Sequence, residues 1–296
     1  MERRKASDFP PEVLKLFDGF VHGRITRREF LDNAARYAVG TFSAAAMLEA
    51  LTPNFAWAEQ VKPGDPRIKV GYASYESPNG SGRMRGYLAE PANAKGKLGA
   101  VVVIHENRGL NPYIEDVARR LAVQGYVAFA PDALTPAGGY PGDEDRAREM
   151  FAKLDPKKRT EDLVSAVDFV KLRPDFNGHM GAVGFCFGGG MVNTIATRVP
   201  ELRAAVPYYG AQPPAEEAAK IKARMLIHYA SEDERINAGW PAFEQALKQH
   251  HVQYQAYIYP KTQHGFHNDT TPRYDEAAAK LSWERTLALF HETLHA

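Results

Sequence analysis

The 296-residue chain is 44% hydrophobic and 25% charged, which is typical of a globular protein with one or two domains. Its 37 basic and 36 acidic residues give a net charge of +1, without a block of like charge that would indicate a nucleic-acid partner. The single cysteine, Cys186, excludes a disulfide within the chain and a metal site built from several thiolates.

The first 58 residues match a twin-arginine export signal. The motif Thr26-Arg27-Arg28-Glu29-Phe30-Leu31 is followed by an uncharged run from Tyr37 to Leu48 and by Ala56-Trp57-Ala58, an A-x-A cleavage pattern. The run is too short to span a bilayer, so no stable membrane anchor is expected. The working prediction is Tat export to the periplasm, with residues 1–58 removed.

A second interpretation of this segment is a retained helical extension. Apolar residues recur at helical spacing before the arginines, which is unusual in an export signal: Val13, Leu14, Phe17, Phe20 and Val21. The charged residues Arg36 and Glu49 also bracket the apolar run closely. The extension would then pack on the main domain or on a second subunit, in a cytoplasmic protein that can form a homodimer.

Residues 65–296 alternate between strand and helix patterns. Strands are predicted at 68–75, 84–88, 100–104, 126–130, up to Phe185, 202–208, 224–229 and 252–259, and helices at 112–124, 143–154, 158–172, after Cys186, 238–251 and 274–294. This alternation predicts an α/β domain with a mainly parallel central sheet flanked by helices.

The stretch from His179 to Val192 predicts a nucleophile elbow. A buried strand ends in Gly184-Phe185-Cys186-Phe187-Gly188, a G-x-C-x-G variant of the G-x-S-x-G motif. A sharp turn from strand to helix strains the backbone at its centre and needs neighbours that are nearly free of side chains. The turn also directs backbone N–H groups at developing negative charge. A structural cysteine beside a glycine bend is the alternative.

Two further polar loops follow predicted strands. The loop after 224–229 carries Glu232, Asp233 and Glu234, and the loop after 252–259 carries His264. Because ligands bind beyond the carboxyl ends of parallel strands, these side chains should converge on Cys186. The order nucleophile, acid, base is that of α/β-hydrolases. Any of the three carboxylates could be the acid, and we select Asp233.

The loop Ile104-His105-Glu106-Asn107-Arg108-Gly109-Leu110 follows the first long buried strand, where this fold supplies an oxyanion donor. His105-Glu106 lacks the second histidine of a zinc motif. The remaining histidines, including His228, His250, His251 and His267, show no metal-ligand spacing. Neither a metal nor a cofactor is expected.

Together these residues resemble the dienelactone hydrolase family of α/β-hydrolases, from about Val70 to the C-terminus, in a subgroup with a long N-terminal extension. The resemblance rests on the cysteine elbow, His105-Glu106, Asp233 before Arg235-Ile236, and His264-Gly265-Phe266. It implies a Cys186-His264-Asp233 triad, with backbone N–H groups of Asn107 and Phe187 as the oxyanion hole. It also implies that Glu106 contacts the resting thiol and helps to ionise it.

The sequence departs from the family where a dienelactone carboxylate is bound by two arginines. No arginine lies in Ala130–Thr135, and Asn268 stands four residues after His264. Arg108, Arg235 and Tyr208 are therefore the candidate substrate contacts, with Arg273 as a further cation. The predicted function is hydrolysis of a small-molecule ester or lactone through an acyl-cysteine. The alternatives are a non-hydrolytic member that binds a ligand or partner, or an acyltransferase.

Overall fold

The computed structural model describes residues 4–40, 42–57 and 59–295. One eight-stranded sheet runs through the molecule in the order β1-β2-β4-β3-β5-β6-β7-β8. Its strands are β1 Ile68–Ser77, β2 Gly82–Pro91, β3 Leu98–Ile104, β4 Val127–Pro131, β5 Phe176–Phe185, β6 Ala204–Tyr208, β7 Arg224–Glu232 and β8 Tyr254–Gln263.

In the described chain, three α-helices precede the first strand in sequence, six lie between strands, and one follows the last strand. They are α1 Pro11–Val21, α2 Arg27–Ala34, α3 Ala44–Leu51, α4 Pro112–Val123, α5 Glu144–Ala152, α6 Pro156–Lys171, α7 Phe187–Arg198, α8 Glu234–Asn237, α9 Trp240–Gln249 and α10 Glu276–Leu294. In this part of the chain, no helix is long and apolar enough to cross a membrane.

The sheet has the predicted parallel centre. Strands β3 to β8 pair in parallel with their neighbours, whereas β1 and β2 form a hairpin whose second strand pairs antiparallel with β4. Helices cover both faces, so β3 is apolar along its whole length and its residues from 100 to 104 are almost completely buried. The predicted α/β-hydrolase fold is confirmed, and β3, β5, β7 and β8 end at the same edge of the sheet.

The helices α1, α2 and α3 surround their own apolar cluster. Phe20 and Phe30 lie in it with ring centroids 6.0 Å apart, and Phe17 and Leu51 are buried beside them. Burial of such a face is what stabilises helices of this length. Thr26 caps α2 by accepting a hydrogen bond from the N–H of Glu29.

This N-terminal segment packs on the main domain. Arg27 forms an ion pair of 2.8 Å with Asp145, and the N–H of Asn54 donates to Thr270 O at 2.8 Å. The guanidinium of Arg148 lies 4.2 Å from the centre of the Phe20 ring. The amphipathic helix expected from the apolar spacing is thus present as α1. The predicted cleavage pattern ends on Ala58, which lies outside the described residues.

Candidate active site

Cys186 lies on a sharp turn between β5 and α7. It is the N-cap residue of α7 and has φ 56° and ψ −114°, a conformation that residues with a side chain rarely adopt. Side chains at Gly184 or Gly188 would collide with the backbone carbonyls of Gly188 and Ile104, respectively. The glycines of the motif therefore permit the turn, which holds the thiol at the carboxyl edge of the sheet.

His264 and Asp233 form a buried pair beside this thiol. Asp233 directly follows β7 and His264 directly follows β8, and the Nδ1–Oδ2 distance is 2.5 Å. Burial opposes a charged imidazole, but the Cys186 thiolate and the Asp233 carboxylate outweigh it and raise the pKa of His264 to about 10. Of the three candidate acids, Asp233 is thus the one that contacts the histidine; Glu232 and Glu234 are exposed.

A second histidine approaches Cys186 from the N-terminal segment. His22 follows α1, and its Nε2 lies 3.5 Å from the Cys186 Sγ, while its ring centroid lies 4.9 Å from that of His264. The other ring nitrogen, Nδ1, lies 2.8 Å from Asp18 O and 3.1 Å from Asp18 Oδ1. No spacing in the sequence singles out His22, because 164 positions separate it from Cys186.

These imidazoles determine the ionisation of the thiol. Burial alone would raise the pKa of Cys186, but His264 and His22 together lower it well below the ordinary value. The arrangement therefore stabilises the charged form of the thiol, a thiolate beside an imidazolium.

The loop after β3 lies over the elbow. His105 Nε2 accepts from the N–H of Ala133 at 3.1 Å, which fixes the loop, and Asn107 Nδ2 donates to Val21 O at 2.7 Å, which joins it to α1. Among the hydrogen bonds of the described residues, the backbone N–H groups of Asn107 and Phe187 have no acceptor. Both are therefore available for an oxyanion.

Glu106 does not make the thiol contact that the family resemblance implies. Its Oε2 accepts a hydrogen bond of 2.9 Å from Asn268 Nδ2, whereas the Cys186 Sγ lies at hydrogen-bond distance, 3.5 Å, from His22 Nε2. Burial raises the pKa of Glu106 above its ordinary value, and the nearby thiolate adds to the increase. In this structure the hydrogen-bond partner of the Glu106 carboxyl is thus Asn268.

The three expected substrate contacts lie in different environments. Arg235 is exposed at the active-site cavity, with Nη2 3.1 Å from His22 Nε2. Arg108 is buried in an ion pair of 2.9 Å with Glu144, which corrects its predicted role, since its charge is already compensated.

Tyr208 is also corrected. Its side chain is fully buried, and its hydroxyl lies 2.7 Å from that of Thr286. The next residue, Tyr209, turns towards the cavity with φ 36°, and its buried hydroxyl has no hydrogen-bond partner in the described structure. The alternation of side chains at the end of β6 explains the one-residue difference.

A cavity of about 640 Å³ opens above the thiol. It is lined by both apolar and polar side chains, including Cys186, Phe187, Met191, Tyr209, Arg235 and His264. This volume is within the range of small-molecule sites.

The same cluster is the group in the described chain that could hold a metal ion. Cys186 Sγ and one ring nitrogen each of His22 and His264 lie within 4.8 Å of one another. Tertiary structure alone brings these three side chains together, so no spacing in the sequence indicates the cluster.

Comparison with known proteins places the chain in a family. The model of the dienelactone hydrolase family matches residues 84–294, and a YqhI-like model matches residues 1–38. "Putative hydrolase fragment YghX" of Escherichia coli is 57% identical over 114 residues, covering 38% of this chain and 97% of that protein.

A "Putative carboxymethylenebutenolidase" of Synechocystis is 31% identical, covering 73% of this chain and 95% of that protein. The crystal structure of a "Putative Dienelactone Hydrolase" from Klebsiella pneumoniae superposes with a TM-score of 0.67 at 29% identity, over 75% of this chain and 99% of that one. The chain therefore belongs to the dienelactone hydrolase family, which confirms the resemblance seen in the sequence.

Proposed function

We propose that this protein hydrolyses a carboxylic ester or lactone through a Cys186-His264-Asp233 triad and an acyl-cysteine intermediate. The observation that carries the proposal is the buried 2.5 Å contact between His264 and Asp233, beside a thiol raised on a strained elbow. A nucleophile, a base and a group that orients the base are the parts that acyl transfer requires. Family membership supports the reaction class.

In the acylation step, the Cys186 thiolate attacks the carbonyl carbon and forms the C–S bond. The carbonyl oxygen becomes an oxyanion, for which the N–H groups of Asn107 and Phe187 are the donors. Collapse breaks the C–O bond to the leaving group, and the His264 imidazolium gives its proton to the departing oxygen. The product of this half-reaction is a thioester on Cys186 and a neutral imidazole.

Water completes the cycle. Neutral His264 removes a proton from a water molecule, which attacks the thioester carbonyl. The second tetrahedral intermediate expels the Cys186 thiolate and releases the acid, and the imidazolium is regenerated. Asp233 keeps the hydrogen on Nδ1 of His264 throughout, so that Nε2 faces the reacting atoms.

The test compares hydrolysis of a neutral aryl acetate and a carboxylated dienelactone by the wild type and Cys186→Ala. The variant should lose turnover of both substrates by about 10³-fold or more while keeping its circular dichroism spectrum. Unchanged turnover in the folded variant would refute the triad. If the wild type prefers the lactone, its substrate is of the class that the names of its relatives indicate. If it cleaves only the acetate, its substrate is an uncharged ester.

A further inference from the structure

The C-terminal end of α1 lies inside the active site. His22 follows the last residue of this helix, and only 14% of its side chain is exposed. It lines the cavity together with Cys186 and His264. The N-terminal segment thus contributes a side chain to the site of the main domain.

Several contacts hold His22 in this position. Asn107, on the oxyanion loop, donates to Val21 O at 2.7 Å, so the residue before His22 is tied to the main domain. Asp18, one turn earlier on α1, is bonded to His22 and also to Arg24, whose Nη2 lies 2.5 Å from Oδ2. The preceding face of α1 is buried in the apolar cluster of the segment. The position of the imidazole is therefore built into the fold.

The hydrogen bonds of His22 also fix its tautomer. Both partners of Nδ1, the carbonyl and the carboxylate of Asp18, are acceptors, so Nδ1 carries a hydrogen. Nε2 then faces both the Cys186 thiol at 3.5 Å and Arg235 Nη2 at 3.1 Å, and as a neutral nitrogen it accepts from the guanidinium. In the imidazolium form, Nε2 carries a hydrogen that donates towards Sγ, and the exposed Arg235, which can only donate, turns away from Nε2. Asp18 then compensates the positive charge of the imidazolium. His264 and Asp233 repeat this pairing of an imidazole with a carboxylate near the same sulfur.

The charged groups around His22 come from several elements. Asp18 and Arg24 lie on the N-terminal segment, Cys186 on the elbow, Arg235 on α8, and His264 after β8. Burial and the neighbouring His264 disfavour the imidazolium, whereas Asp18 and Cys186 favour it, and the net effect raises the pKa of His22. Arg235 is exposed and can turn to solvent.

Glu106 is hydrogen-bonded elsewhere, so a second imidazole can be the partner of the thiol. The carboxyl of Glu106 is bonded to Asn268, so the thiol contact expected of it is made by His22 instead. A cation is also the better partner for a thiolate than a carboxylate is, by simple Coulomb attraction.

We propose that His22, oriented by Asp18, is a catalytic residue that holds Cys186 as a thiolate in the resting enzyme. The proposal rests on the function proposed above, since it takes Cys186 as the nucleophile. It makes the N-terminal segment an integral part of the active site, and the working enzyme must then retain it.

The experiment measures the rate of Cys186 alkylation by iodoacetamide as a function of pH. Cys186 is the single cysteine of the chain, so every alkylation event reports on it. The proteins are the full-length wild type, His22→Gln, Asp18→Asn and a matched control, His250→Gln. His250 is exposed and precedes β8, so it lies at the opposite edge of the sheet. A chelator keeps metal ions off the sulfur and the two imidazoles.

In His22→Gln, the midpoint of the alkylation profile should move upward by about one pH unit, because a charge-assisted hydrogen bond to the thiolate is lost. Asp18→Asn should give a smaller shift in the same direction, and His250→Gln none. The kcat/KM for ester hydrolysis should fall most at the acid end of the profile. Equal unfolding curves in urea establish that the variants remain folded.

An unchanged midpoint in folded His22→Gln would overturn the proposal, even if turnover fell, because it would assign His22 a structural role. Faster alkylation at every pH with an unchanged midpoint would also overturn the proposal, since His22 would then only shield the thiol from the reagent. A mature protein that begins near Glu59 in its native host, as the export prediction requires, would contradict it by intact-mass measurement. Because alkylation needs no ester turnover, a low wild-type midpoint in a protein inactive on esters would refute the proposed function alone.

Discussion

The side-chain amide of Asn268 donates a 2.9 Å hydrogen bond to Oε2 of Glu106, and both residues are buried. Asn268 Oδ1 in turn accepts from the N–H and the hydroxyl of Thr270. The amide orientation is thereby fixed, so Nδ2 can only point at the carboxyl. The family resemblance implies a substrate-binding arginine at this position, but in this chain the Asn268 side chain makes hydrogen bonds within the fold.

The first prediction concerns this amide. Asn268→Ala should lower the free energy of unfolding by about 1–3 kcal/mol, because it leaves Glu106 and Thr270 with unsatisfied buried polar atoms. Urea unfolding at neutral pH measures the change. The double variant Asn268→Ala with Glu106→Gln should be less destabilised than the sum of the two single variants, since they share one contact. Strict additivity would show that the contact is energetically unimportant.

The second prediction identifies the acid. Asp233→Asn should reduce kcat by roughly 10²–10⁴-fold, because an amide no longer selects the His264 tautomer with its hydrogen on Nδ1. The matched controls are Glu232→Gln and Glu234→Gln, whose exposed carboxylates flank Asp233 in the chain. They should retain activity within a few-fold in a steady-state ester assay. A large loss in either control with an active Asp233→Asn would reassign the acid.

The third prediction separates the two candidate arginines. Arg235→Gln should lower kcat/KM for a carboxylated lactone more than for a neutral aryl acetate, because this guanidinium lies exposed at the cavity. Arg108→Gln should leave the ratio between the two substrates unchanged. It should instead destabilise the protein by about 3–5 kcal/mol, since it leaves the buried Glu144 carboxyl without its partner. Equal loss on both substrates in Arg235→Gln would remove it from carboxylate recognition.

The fourth prediction is a difference between two pH profiles. In the free enzyme, the Cys186 pKa is lowered and the His264 pKa is raised to about 10, so kcat/KM should stay high across neutral pH and fall only as the pH rises through about 10. Acylation removes the thiolate charge that raises the His264 pKa. Hydrolysis of the acyl-enzyme needs neutral His264, so kcat should decrease towards acid pH. Single-turnover measurements of acylation and steady-state measurements of kcat over the same pH series separate the two steps. If the two rates showed the same pH dependence, this would argue against a thiolate–imidazolium pair.

The fifth prediction links the N-terminal apolar cluster to the thiol. Phe30 is fully buried against Phe17 and Phe20, so Phe30→Ala should destabilise this segment by about 3–5 kcal/mol. Limited proteolysis should then cut before residue 58 more rapidly. The alkylation profile of Cys186 should move in the same direction as in His22→Gln. Val39→Ala, at a side chain that is 79% exposed, is the control and should change neither measurement.

The sequence by itself determined the α/β fold and the order of the three triad candidates. The run from residue 100 to 104 is apolar on both faces because the strand is covered on both sides, and the elbow needs glycines at fixed positions. Such constraints act between neighbours in the chain. His264 and the acidic loop could be placed because each follows a predicted strand, and parallel strands end at one edge. The contact of Asp233 with His264, which distinguishes it from Glu232 and Glu234, appears only in the structure.

Only the tertiary structure decided which side chains surround the thiol. His22 reaches Cys186 across 164 positions, and Asn268 reaches Glu106 across 162, so neither contact leaves a local periodicity. Arg108 appears in the sequence as a free cation, but burial forces it to pair with Glu144. Tyr209, and not Tyr208, lines the cavity because successive side chains at the end of a strand point in opposite directions. Composition and spacing encode the framework, whereas partner choice in a buried site depends on chain segments that meet only after folding.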